Sequence, residues 1–65
     1  MRILVNGAWR ETRAAQLSTL LEELGYRDAV VATAVNGEFV AQSARASAPL
    51  ADGDRLEVLA PMQGG

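Results

Sequence analysis

The chain has 65 residues with no cysteine, no histidine and no lysine, and each absence closes off some chemistry. Without cysteine there is no disulfide framework and no thiol nucleophile. Without histidine there is no imidazole acid–base work, and with both types missing most zinc sites are excluded as well. The lack of lysine leaves the α-amine as the sole amine, so no chain can be built on this protein through its side chains. No apolar run reaches membrane-spanning length, and the polar-interrupted opening at Met1 is no signal-peptide pattern, so a cytoplasmic protein is expected. Excess basic charge is lacking too. Eight acidic residues outnumber six scattered arginines (Arg2, Arg10, Arg13, Arg27, Arg45 and Arg55), for a net charge of −2. A nucleic-acid binder would carry a basic stripe. Neither a nucleic acid nor a membrane is an expected partner.

A chain this short forms one domain near the lower limit for independent folding. It buries one small core and has little stability left over for a deep polar cavity. A self-contained enzyme is not expected, nor is a stably bound cofactor or metal.

What is present reads as alternating strand and turn signals around one helix. Met1 to Val5 alternates at period 2, with Met1, Ile3 and Val5 on one face. Asn6-Gly7 is the preferred pair for a tight hairpin turn, and Ala8 to Thr12 is the returning strand. Leu17, Leu20, Leu21 and Leu24 fall at i, i+3, i+4 and i+7, a one-sided helical stripe with Glu22 and Glu23 on the wet side. Gly25 is placed to end that helix, and Thr12 or a residue near Gln16 is placed to cap its start. Ala29 to Val35 is apolar on both parities, which predicts an interior strand covered on both faces. Asn36-Gly37 turns it into Glu38-Phe39-Val40. Ala41 to Ala48 reads as a loop with a short turn. Asp52-Gly53-Asp54 is a turn signature before the last strand, Arg55 to Ala60.

Hairpin, helix, hairpin, strand is the order of an α+β two-layer domain. With the last strand central and parallel to the first, it becomes a ubiquitin-like β-grasp: a mixed sheet of about five strands packed on one helix. Residues 1–60 are expected to form that domain, and residues 61–65 a flexible tail ending in Gly-Gly.

Asp52 and Asp54 are too few for a calcium loop, which needs further oxygen ligands and a distal Glu. Glu22 and Glu23 diverge on a helix and read as a solvated face. Leu59 differs. If Leu56 and Val58 point inward, Arg55, Glu57 and Leu59 point outward, and Leu59 becomes a candidate docking contact beside the tail. The tail itself, Pro61-Met62-Gln63-Gly64-Gly65, is the most informative feature. Two terminal glycines contribute nothing to a core and are the most entropically demanding residues to order. They do offer a thin carboxylate able to thread a narrow slot in a partner enzyme. A loose terminus or an expression remnant would account for the dipeptide taken alone.

Val35-Asn36-Gly37-Glu38-Phe39-Val40, followed by the stretch from Leu50-Ala51-Asp52-Gly53-Asp54 to Ala60-Pro61-Met62-Gln63-Gly64-Gly65, closely resembles the ThiS-type sulfur carriers of thiamine biosynthesis. The resemblance spans the chain in length and element order and is most specific in the C-terminal third. Ala41 and Gln42 depart from it, since family members often have Pro and Arg there. The resemblance implies that Gly65 is the reacting residue, first adenylated and then thiocarboxylated, with Gly64 giving access. Leu59, Pro61, Met62 and Gln63 would bind partners. Those partners would be a ubiquitin-activating-like adenylyltransferase (ThiF-type) that consumes ATP, a persulfide sulfur donor, and a thiazole synthase (ThiG-type). The protein would be their co-substrate and not a catalyst. The sulfur carrier of molybdopterin synthesis shares the tail chemistry. A ubiquitin-like modifier and a β-grasp binding module without terminal chemistry are the readings from other classes.

Overall fold

Two Asn-Gly pairs frame the sheet. Asn6 (φ 48°) with Gly7 (φ 84°), and Asn36 (φ 51°) with Gly37 (φ 83°), hold the paired positive φ values of a type I′ turn. That backbone twist matches the twist of the strands it joins. The first turn links β1 (Arg2–Val5) to β2 (Ala8–Glu11), and the second links β3 (Ala32–Val35) to β4 (Glu38–Val40). The computed structural model describes residues 1–60, and within them β5 (Arg55–Leu59) completes a five-stranded sheet of order β2-β1-β5-β3-β4. β5 lies parallel to β1 and antiparallel to β3, as expected for the last strand of this element order.

The helix α1 (Leu17–Glu23) starts at Gln16 without a side-chain cap. A distant stretch of chain satisfies the first helical N–H: Leu17 N–H donates to Ala48 O (2.9 Å) beside an isolated bridge between Gln16 and Pro49. Thr12 does not cap the helix. Its buried hydroxyl accepts from Ala14 N–H (3.0 Å) and donates to Glu23 Oε2 (2.6 Å), which fixes the bend between β2 and α1. At the other end Gly25 N–H reaches Glu22 O (3.1 Å) and Tyr26 N–H reaches Leu21 O (2.9 Å). These two bonds, with Gly25 at φ 91°, make a Schellman motif.

Ile3 and Val5 of β1 and Leu56 and Val58 of β5 meet Ala14, Leu17, Leu20 and Leu21 in the core. The helix covers one sheet face only. This corrects the expectation for Ala29 to Val35. β3 is shorter and interior in sheet order, but its Ala32 is exposed and Val30 before it is 80% exposed. One seven-residue helix cannot cover both faces of five strands, so apolarity on both parities here marks an open apolar surface. The segment after β4 is also more regular than a loop, with a 3-10 helix at Gln42–Ser47. Arg45 from it donates through Nε to Thr33 Oγ1 (3.1 Å) and through Nη2 to Val31 O (2.6 Å), while Thr33 donates to Val40 O (2.8 Å). The buried Thr33 hydroxyl is thereby satisfied.

Candidate functional site

The site is assembled around β5, because this strand leads into the C-terminal residues. β5 sits in the centre of the sheet, held on both sides. Its burial alternates as expected, with Leu56 and Val58 inside and Arg55, Glu57 and Leu59 outside. Leu59 is 67% exposed. It faces Ala32 across the antiparallel ladder, and Val30, Val31, Ala32, Leu59 and Ala60 together line a shallow apolar depression at the exit of the strand. Phe39 (72% exposed) lies further along the same open face, opposite Ala34, which also faces Glu57. On the far strand Trp9 is exposed, with the Arg2 guanidinium 4.4 Å from its ring centroid. Large exposed apolar groups sharing one open face mark an interaction surface more readily than scattered ones do.

The two acidic residues before β5 are occupied by the backbone. Asp52 Oδ1 accepts from Arg2 N–H (2.7 Å), and Asp54 Oδ2 accepts from Ala51 N–H (2.8 Å). The Asp52 bond pins the turn against the start of β1, and the Asp54 bond closes the turn on itself. Among the described residues no three His, Cys, Asp or Glu side chains gather as metal ligands, and no helix is long and apolar enough to cross a membrane.

Sequence reasoning missed the role of the two asparagine side chains. Both Val-Asn-Gly stretches read as turn chemistry, yet both carboxamides bind the segment of β5. Asn6 Oδ1 accepts from Val58 N–H (2.8 Å) and its Nδ2 donates to Val58 O (3.1 Å). Asn36 Oδ1 accepts from Arg55 N–H (3.0 Å) and its Nδ2 donates to Asp54 Oδ1 (3.0 Å). The available signal was the choice of Asn at both turns, where Asp or Gly also suits the backbone. Of the candidate residues, Leu59 is where the alternation puts it. Pro61, Met62, Gln63, Gly64 and Gly65 lie outside the described residues.

A five-stranded mixed sheet grasping one helix, with the last strand central and its exit beside an open apolar face, defines a ubiquitin-like β-grasp protein. A family model described as the ThiS family matches residues 3–65. The crystal structure of a thiamine biosynthesis protein (ThiS) from Geobacter metallireducens is similar at a TM-score of 0.83 and 32% identity, with all of both chains covered. The solution structure of a thiamine biosynthesis protein from the same organism is similar at a TM-score of 0.78 and 30% identity, covering 100% of this chain and 88% of that one. A comparison with curated proteins gave no significant match. The chain belongs to the ThiS family and is a ThiS-type, ubiquitin-like sulfur carrier.

Proposed function

We propose that this protein carries sulfur for thiazole formation in thiamine biosynthesis, as a thiocarboxylate on Gly65. The observation that supports this best is the placement of β5: a central, doubly paired strand delivers the chain to the exposed Ala60 beside the apolar depression, and the sequence continues from there to Gly-Gly. The family match extends through that ending.

A carboxylate is a poor electrophile, so it must first be activated. Its oxygen attacks the α-phosphate of ATP inside a ThiF-type adenylyltransferase, pyrophosphate leaves, and an acyl-adenylate forms. The terminal sulfur of a donor persulfide then attacks the acyl carbon and AMP leaves. A thiol cleaves the resulting S–S bond, forming a disulfide on its own side and leaving the thiocarboxylate on the carrier. That sulfur next attacks at a ThiG-type thiazole synthase. With no cysteine on this chain, the sulfur has no side chain to occupy. Residues 61–65 act as the arm that enters partner sites, on a globular part formed by residues 1–60. Gly64 keeps the arm thin, while Leu59, Pro61, Met62 and Gln63 contact the partner. ATP is consumed by the partner and not held here. The compartment proposed for this ATP-dependent chemistry is the cytoplasm.

The test is intact mass after incubation with ATP, an activating enzyme and a persulfide source. Exchange of one oxygen for sulfur is the expected product. A ladder of conjugates would mean a modifier, and an unchanged mass a binding module. Deleting Gly65 draws the carboxylate back by up to ~3.3–3.6 Å along an extended chain. Since misplacement by ~1 Å can reduce rate ~100-fold, the deleted protein should fold normally and show no pyrophosphate exchange. Normal exchange by that variant would sink the carrier mechanism.

A further inference from the structure

Asn6-Gly7 and Asn36-Gly37 both follow valine and occupy the same kind of turn, with φ values that agree within a few degrees. Asparagine before glycine carries a reactivity of its own. The glycine amide nitrogen, unshielded by any Cβ, attacks the asparagine Cγ. That nitrogen gives up its proton to solvent, and the side-chain nitrogen takes up a proton and leaves as ammonia. Water then opens the cyclic succinimide at either carbonyl, giving an aspartyl or an isoaspartyl product. In sum water is consumed and ammonia released, with no oxidant or reductant. Attack requires the carboxamide to leave its partners and the backbone to leave the turn, so each site reacts through a local opening.

We propose that Asn36 is a site of spontaneous deamidation, and that the same sequence at Asn6 is shielded by its clamp on Val58. With the Val-Asn-Gly stretch and the turn shared, the intrinsic chemistry cancels and the ease of opening decides. Asn6 binds main chain alone: Oδ1 accepts from Val58 N–H (2.8 Å) and Nδ2 donates to Val58 O (3.1 Å), both bonds part-buried, on a strand paired on both sides. Freeing it strips those partners from the N–H and C=O of a residue only 6% exposed. The bonds of Asn36 are exposed. Its Oδ1 accepts from Arg55 N–H (3.0 Å), and its Nδ2 donates to a side chain, Asp54 Oδ1 (3.0 Å). Water replaces exposed partners with little loss, and a side-chain acceptor swings aside without disturbing the sheet. The hairpin around Asn36 is also the shorter, with three paired positions in β3–β4 against four in β1–β2. Deamidation there puts a carboxylate where Nδ2 now donates to Asp54, so a hydrogen bond becomes a like-charge contact at the turn before β5.

The test uses the full-length wild-type protein, incubated at neutral pH below its melting transition. Each site is followed by peptide mapping with mass detection and by enzymatic methylation of isoaspartyl groups. The Asn36 peptide should deamidate at least about tenfold faster than the Asn6 peptide. In urea that unfolds the chain the two rates should converge, because the clamp is gone and the Val-Asn-Gly stretch is shared. Equal rates in the folded protein, or faster loss at Asn6, would overturn the assignment. A difference that persisted in urea would overturn it too, since flanking sequence and not the clamp would then decide. So would a folded protein that keeps Asn36 intact over the time in which the unfolded chain converts. No partner enzyme takes part, so the result is independent of the carrier reading.

Discussion

At the scale of single residues, Leu59 separates docking from stability. Its side chain is mostly exposed and faces Ala32, on the outer side of a strand whose inner side chains, Leu56 and Val58, are buried. Leu59→Glu therefore removes little core contact, and stability should change by no more than about 0.5 kcal/mol, as for other surface substitutions. Burying the new carboxylate against a partner is unfavourable, so affinity for the activating enzyme should fall at least ~tenfold. Calorimetric titration beside a melting curve separates the two effects. An unaltered affinity would make Leu59 an incidental surface leucine. A large drop in melting temperature would mean that it packs inward. The two asparagines teach a related lesson at the same scale. A residue chosen for its backbone conformation also carries a side chain: that of Asn6 forms two hydrogen bonds to Val58 of β5, and that of Asn36 forms one to Arg55 of β5 and one to Asp54 before it.

Among the elements, α1 is short and depends on its ends. Seven residues are too few for a stable isolated helix in water. Its start is satisfied by the Ala48 carbonyl and its finish by the bonds of Gly25 and Tyr26, so tertiary contacts and a glycine turn do what length does not. A Cβ on Gly25 would meet nothing within 4 Å. Gly25→Ala therefore isolates the backbone penalty of φ 91°, about 1–2 kcal/mol for a side-chain-bearing residue in the left-handed region. Urea unfolding should show that loss with an unaltered slope. No loss would mean that the helix end relaxes into another turn without penalty. The 3-10 helix has a comparable dependence. It is tied to β3 through Arg45, whose guanidinium reaches both Thr33 and Val31.

At the scale of the molecule, one core of eight buried apolar residues among those described ties the sheet to the helix. Stability of ~0.05–0.15 kcal/mol per residue is usual for folded proteins, which puts a chain this small at the low end. Leu20 is 1% exposed. Leu20→Ala should lose ~2–5 kcal/mol through lost burial and a cavity, leaving most molecules unfolded at moderate urea. Helix and sheet signals in circular dichroism and amide exchange should then collapse in one transition. A variant that kept its sheet while losing its helix would show that the two layers do not share a core.

Local chemistry determined much of this architecture. Asn-Gly pairs, the leucine stripe, the helix-ending Gly25 and the alternation of β5 each act over a few residues, so hairpins, helix and the outward parity of Leu59 were legible before any fold was known. Position relative to distant chain was not. Whether β3 was covered on one face or two depended on how much of the sheet a seven-residue helix spans. Thr12 and a residue near Gln16 were both placed to cap the helix; it starts at Gln16, and the Ala48 carbonyl, 31 residues further on, takes the Leu17 N–H. Asn6 and Val58 stand 52 positions apart, and only the parallel pairing of β1 with β5 brings them together. Backbone conformation is dictated by neighbours in sequence, whereas hydrogen-bond partners for a side chain are dictated by neighbours in space. The turn was therefore written in Asn6-Gly7, and the clamp on the strand that leads to the tail was decided by the tertiary structure alone.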